Sequence, residues 1–417
     1  MSDQIPIHGT CDPRFNKVRE LFQHCFDNGT EIGAAVSFVL DGKCVVDLWG
    51  GHYDLARTRE WERDTLVNVY STTKGMLAIC ASQLIERGLL DVDAPVVTYW
   101  PEFGASGKQD ITVRWLLSHQ AGLCGIRKPL PKNSLYDWNL MCEALASQEP
   151  WWKPGTAHGY HAFTYGFLVG EIVRRVTGET IGNYFRKNIA APLGADFHIG
   201  LTAEHDARTA DMYGVSIGNK PVPSAPPPPA ASASPPTPPA AFAEFARLLQ
   251  DPTTMQHAAL LNPPMDRDAV NTRAWRAAEI PAVNGHCTAR ALARIYGALS
   301  RGGEIDGVRI LNPDTLTRAT TEEVSGPELL FCGAVPMRYG LGFVLSDEHH
   351  RYSRLSPNPR SFGHAGGGGS LGMADPDNAI GFGFTMNNMQ PSIVSAGATP
   401  TVLIDAFYEA LGTPASP

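Results

Sequence analysis

Apolar positions near the start of the chain change period twice. From Asp12 to Asn28, Phe15, Val18, Leu21, Phe22 and Phe26 recur at helical spacing. Two β-rich runs follow, Gly33 to Leu40 and Lys43 to Gly50, on either side of Asp41-Gly42. An Asp-Gly pair between such runs predicts a β-hairpin. The next run, Gly75 to Arg87, is apolar at helical spacing and closes at Gly88, a residue suited to a helix C-terminus. Helices are further predicted over Ile111 to His119 with Thr112 as cap, over Phe163 to Thr177 and over Ile181 to Ala190. Thr288 to Ser300, capped by Thr288, and Thr401 to Leu411 read the same way. Tyr339 to Leu345 and Ile380 to Asn387 read as turns and sheet strands.

Strand signals thus lie at both ends and helical signals between them. The pattern predicts a protein of the α+β type: an antiparallel sheet flanked by helices, plus an inserted, mostly helical domain. We place a discontinuous sheet domain at 1–88 and 285–417 and the helical domain at 89–284. The segment Pro221 to Pro239, dense in Pro, Ala and Ser, is expected to form a surface loop within the latter, because it can build neither a helix nor a central strand.

Composition narrows the function. A chain of 417 residues with a net charge of −8 carries no basic footprint for nucleic acid or anionic membrane. No window reaches the apolar length of a membrane span. Met1 to Pro6 lacks the basic and apolar regions of a secretory signal. The eight cysteines are scattered without a C-x-x-C pair, which suits reduced thiols better than a disulfide framework or a zinc site. The expectation is a soluble cytoplasmic protein.

The candidate chemistry centres on Ser71-Thr72-Thr73-Lys74, directly before the apolar helix. A helix start offers free N–H groups and a positive dipole end for an oxyanion forming at Ser71. Lys74, one turn on and partly buried, would lose charged-state solvation and so become able to accept the serine proton. Two other serines sit in G-x-S-x-G, Ser216 and Ser370. That motif makes a nucleophile only between a strand and a helix. Ser216 precedes the proline-rich run and Ser370 a turn between strands, so both are set aside. Tyr160, after the Pro154-Gly155 turn, is a further candidate, since a phenol beside an ammonium can serve as a base. The glycine run Gly366 to Gly369, after His364-Ala365, suggests a backbone that approaches something closely and could offer a second oxyanion N–H.

Taken in order, these pieces resemble the serine hydrolases related to class C β-lactamases and penicillin-binding proteins, in particular the family VIII carboxylesterases. The resemblance spans nearly the whole chain, through Ser71 to Lys74, Leu116 to Leu123, Pro154 to Tyr160, and Gly363 to Gly366 before Asp375-Pro376. It implies a β-lactamase-like fold with the site between two domains. Ser71 would be the nucleophile, Lys74 its activator and Tyr160 the base in acylation. The Ser71 and Gly367 N–H groups would form the oxyanion hole, with His364 and Gly366 as substrate-binding residues. No metal or cofactor is implied.

Two departures bear on substrate. Ala162 stands where the β-lactamases have asparagine, and His364-Ala365-Gly366 replaces their Lys-Thr-Gly. Both changes remove groups that hold a β-lactam. The expected activity is therefore hydrolysis of short-chain carboxylic esters, small molecules, through an acyl-Ser71 intermediate. Weak β-lactam or amide hydrolysis, acyl transfer and a catalytically idle scaffold are the alternatives. Oligomeric state is not legible.

Overall fold

The computed structural model describes residues 5–214, 240–266, 268–347, 350, 353–390 and 397–412. Ser216 and the segment Pro221 to Pro239 lie outside the described residues.

A nine-stranded sheet runs from Ile7–Cys11 through Lys43–Gly51 and Gly33–Leu40 to Ile380–Met386. It continues through Leu371–Asp375, Phe362–Ala365, Val344–Leu345 and Met337–Tyr339 to Val324–Gly326. Every neighbouring pair is antiparallel. The hairpin forms at Asp41-Gly42, where both residues take positive φ (46° and 77°), the conformation that matches strand twist in a two-residue turn. The long register between Gly33–Leu40 and Ile380–Met386 joins the N-terminal and C-terminal strands into one sheet.

Helices cover both faces. On one, Asn16–Asp27 and Ala398–Ala410 pack together, and Phe407 stacks on Phe38 of the sheet at 4.0 Å between ring centroids. On the other, Ala289–Ser300 lies directly on the strands. Glycine allows that approach: a Cβ at Gly381 would fall 2.2 Å from Gly297 N, and one at Gly383 2.1 Å from Ala289 O. Helix Lys74–Glu86 is buried from Lys74 to Leu84 and packs against Thr164–Thr177. An all-round apolar helix has no solvent face to offer, so its one cation is sealed inside with it.

The helix signals hold with local differences. Thr112 caps a helix shortened to Val113–Leu117, and Thr288 caps Ala289–Ser300. Ile181–Phe185 passes into a π turn, Arg186–Ala190, where a continuous α-helix was expected. Tyr339 to Leu345 is two short strands around a loop, because Gly342 turns the chain at φ 91°. Ser370 leads straight into strand Leu371–Asp375, and the turn falls after it. Ile7–Cys11, too short and mixed to show a period, escapes sequence reading.

Replacing Gly381 by Ala is expected to destabilise the fold by about 3 kcal/mol, since the added methyl meets helix backbone, which cannot swing away. A thermal unfolding midpoint unchanged from the parent would show that the helix can lift without cost.

Candidate active site

Strand Val67–Asn68 delivers the chain to Tyr70, whose φ of 42° is strained for a residue with a side chain. Ser71 then opens a tight 3₁₀ turn, Ser71–Thr73, that runs into helix Lys74–Glu86. Ser71 caps nothing by its side chain. The turn is held from three sides. The Thr73 hydroxyl donates to Tyr70 O at 2.5 Å and accepts the Gly285 N–H at 2.9 Å. Ser370 Oγ lies 3.0 Å from Thr72 Oγ1 and donates to Val69 O at 2.8 Å. Ser370, dismissed as a nucleophile, is thus a brace for the turn that presents Ser71.

Lys74 Nζ lies 3.0 Å from Ser71 Oγ, 2.8 Å from Ala162 O and 3.1 Å from Ala282 O. No carboxylate pairs with it among the described residues, and burial drives its pKa well below the usual lysine range. A neutral amine has two hydrogens and one lone pair. In that form it can give its two hydrogens to the carbonyls and turn its lone pair to the Ser71 hydroxyl.

Tyr160 stands on the other side of that amine, with Nζ 4.7 Å from its ring centroid. Its hydroxyl is buried without a hydrogen-bond partner among the described residues. Burial raises its pKa, and the Ser71 hydroxyl draws it back only in part. In the resting site Tyr160 is a neutral phenol beside the Lys74 amine.

Ser71, Tyr160 and Gly367 share the wall of a cavity of about 270 Å³. Gly367 N–H and Ser71 N–H make no hydrogen bond among the described residues. Much of the remaining lining is apolar, with Phe163, Leu260, Met265, Trp275 and Phe331 prominent. Among the described residues no lysine or arginine lines it.

Two sequence candidates sit apart from this wall. Gly366 spends its N–H on Ser370 O at 2.8 Å, and a Cβ there would lie 2.2 Å from both Ser370 Oγ and Val69 O. Its position is one of close packing beneath the serine turn. His364 is buried and is not among the cavity-lining residues. Burial, then the nearby Lys74, pushes its pKa down to about 3, so the imidazole is neutral rather than partly cationic. Nδ1 is 2.7 Å from Ala365 O, which makes it the protonated nitrogen, while Nε2 is buried without a partner among the described residues.

Sequence reasoning missed the residues behind Tyr160. His119, at φ 62°, accepts the His161 N–H through Nδ1 at 3.1 Å and packs against the rings of Tyr160, Tyr165 and Tyr339. Glu328 is fully buried and accepts the backbone N–H of Tyr160. His119 lies in a segment the sequence had marked, but Glu328 comes after an unremarkable proline in a loop.

This fold defines a class, the serine hydrolases built on a β-lactamase-like scaffold. The chain belongs to the Beta-lactamase family, whose profile matches residues 18–403. It is 36% identical over 394 residues to the protein named "Esterase/beta-lactamase LipL" of Mycobacterium tuberculosis, covering 93% of this chain and 84% of that one. A crystal structure of a family VIII carboxylesterase superposes with a TM-score of 0.84 at 40% identity, covering 97% of this chain and 100% of that one. A penicillin-binding protein homolog from Caulobacter crescentus superposes at 0.82 with 35% identity and the same coverage, 97% and 100%.

Ser71→Ala is expected to abolish turnover and covalent labelling by a serine-reactive phosphonate while leaving the unfolding midpoint in place. Ser370→Ala should remain labelled but lose about 1 kcal/mol of stability along with its two hydrogen bonds. Labelling that survives in Ser71→Ala and vanishes in Ser370→Ala would reassign the nucleophile.

Proposed function

We propose that the chain hydrolyses neutral carboxylic esters through an acyl-Ser71 intermediate. The observation that carries this reading is the placement of a fully buried Lys74, with no carboxylate partner among the described residues, its Nζ 3.0 Å from Ser71 Oγ. Lys74 takes the serine proton as Oγ attacks the ester carbonyl. The oxyanion is met by the N–H groups of Ser71 and Gly367, each of which has no other partner among the described residues. Tyr160 gives its proton to the departing alkoxide and takes up the one held by Lys74, and later helps activate the water that releases the acid.

Several observations support the substrate class. Two of the three relatives above carry esterase in their names, one of them beside beta-lactamase. The cavity wall is largely apolar and without a cation among the described residues, so a substrate carboxylate would be desolvated there without a counter-charge. His364, neutral and outside the lining, does not supply one. The reading also keeps the division at 1–88 and 285–417 against 89–284, with Ser71 and Gly367 from the first part and Tyr160 from the second. Eight free cysteines suit a reducing, cytoplasmic setting. No helix among the described residues is long and apolar enough to cross a membrane.

The deciding experiment sets a panel of p-nitrophenyl esters beside nitrocefin, with phosphonate titration of active sites. Turnover of neutral esters, with little on the carboxylate-bearing β-lactam, is expected. A preference for nitrocefin would overturn the ester reading, and labelling without turnover of any ester would favour transfer to another acceptor.

Lys74→Ala and Tyr160→Phe should each lower kcat by at least about 10³-fold, with the double variant little worse, because groups that share one proton path are strongly non-additive. Independent, multiplying losses would separate the two residues into different steps. In the parent, kcat/KM should fall as pH falls through the depressed pKa of Lys74, since protonation removes the lone pair.

His364→Gln keeps a donor for Ala365 O and is expected to cost less than about tenfold in kcat/KM on a neutral ester. A collapse of activity in a folded His364→Gln chain would instead place the bare Nε2 in the proton path.

A further inference from the structure

We propose that Glu328 is a positioning residue for catalysis: its carboxylate clasps the backbone of Tyr160 to the 328–331 loop and so sets where the phenol stands relative to Ser71. This rests on the proton-transfer role proposed for Tyr160.

The loop lies between strands Val324–Gly326 and Met337–Tyr339 of the sheet, and Tyr160 lies in the segment before helix Thr164–Thr177. Glu328 bridges them. Oε1 accepts the Tyr160 N–H and, at 3.0 Å, the Leu330 N–H; Oε2 accepts the Phe331 N–H at 2.7 Å. A fourth link runs the same way, from Leu329 N–H to His158 O at 3.1 Å. Two residues of the cavity wall, Tyr160 and Phe331, therefore hang from one side chain, with their rings 6.2 Å apart. The far side of Tyr160 is fixed by His119, whose O accepts the Gly159 N–H and whose Nδ1 accepts the His161 N–H, both at 3.1 Å.

Glu328 has no cation partner among the described residues, although it is fully buried. Three converging N–H groups explain why an acidic residue occupies the place. Only a carboxylate offers that many acceptor sites in one small group, and an amide or hydrocarbon would leave donors buried and unmet. The opposing effects leave the carboxyl near the operating range: burial raises its pKa, the Tyr160, Phe331 and Leu330 N–H groups lower it, and it stands at about 7. The titratable groups that feel its charge are Tyr160, Tyr339, Cys124 and Cys332, each itself raised by burial and neutral.

Protonation turns one acceptor oxygen into a hydroxyl and loosens the clasp, so activity should fall as pH drops through about 7. Stability moves the other way. Because the folded value is raised above the ordinary glutamate value of 4.5, the contribution to stability is full below 4.5 and lost as pH rises through about 7. A residue that served the fold alone would not set these two trends against each other.

The test uses the full chain with Glu328→Gln, Tyr160→Phe and the double variant, assayed on p-nitrophenyl acetate across neutral pH. Glu328→Gln is expected to lower kcat by about ten- to a hundredfold with KM within about threefold, and to lose the part of the acidic limb centred near 7. In the Tyr160→Phe background it should add almost nothing. Glu31, the other buried carboxyl raised to about 8, serves as control: Glu31→Gln should leave the limb where it is. A Glu328→Gln chain that loses stability but keeps kcat and the limb overturns the proposal, as does a loss that multiplies with Tyr160→Phe. Should the Gln variant fail to fold, Glu328→Asp carries the test. It keeps the charge but falls one methylene short, so kcat should drop while an acidic limb remains, and parental kcat overturns the clasp. If Tyr160→Phe itself retains parental activity, the reading of the site falls, which is a different result from an active Glu328→Gln beside a dead Tyr160→Phe.

Discussion

A primary amine sealed inside an apolar helix is the constraint around which this molecule is arranged. Lys74 could not be tolerated there as an ammonium without a counter-ion, and among the described residues it has none. Neutralised, it needs two acceptors, and it takes them from Ala162 and Ala282, carbonyls 88 and 208 residues away in sequence. Those two loops must therefore meet at the start of helix Lys74–Glu86. The segment carrying Ala162 also carries Tyr160, and the segment carrying Ala282 continues to Asn284 and Gly285, which border the serine turn. Satisfying one buried nitrogen thus brings the catalytic candidates together.

The serine turn depends on the sheet in a comparable way. Tyr70 is held at an unfavourable φ, and such strain persists only where surroundings over-determine it. Ser370, on the threshold of strand Leu371–Asp375, supplies that grip through Thr72 and Val69. The glycines before it let the strand end reach the turn at packing distance, which is why Gly366 tolerates no side chain. The helix Ala289–Ser300, lying close on the same strands, keeps them from shifting. Rigidity of the sheet is in this sense rigidity of the serine turn.

How much of this could be read from the chain varied with the range of the interaction. The Asp41-Gly42 hairpin, the Thr112 and Thr288 caps and the Gly88 stop were legible because each depends on a few adjacent residues. Ser71 and Lys74 were candidates from their spacing and from the apolar helix that Lys74 opens, and folding puts their side chains 3.0 Å apart. Tyr160 and the glycine run of Gly367 stood out locally, but only the family resemblance joined them to Ser71, since no local rule links positions so far apart. The roles of Ser370 and Glu328 were not legible at all: one looked like a failed nucleophile elbow, and the other like any loop glutamate. Both act by hydrogen bonds to backbone brought near by folding, and backbone leaves no signature in the residue types. The neutral state of His364 was not legible for a related reason, because its burial beside Lys74 is set by tertiary packing.

The histidines around the amine complete the electrostatic argument. His119, His161 and His364 are all buried, and burial lowers each of them, the last two to about 3. His161 is held with Nδ1 2.6 Å from Gly159 O while Nε2 accepts the Leu123 N–H at 3.0 Å, a pattern that only the neutral ring can satisfy. In the acylation step proposed above, a protonated ring would oppose the proton that Lys74 takes from Ser71, whereas neutral imidazoles leave Lys74 to become the one cation there. A wall with no lysine or arginine among the described residues, and with Asp266 on it, gives an anionic substrate no counter-charge.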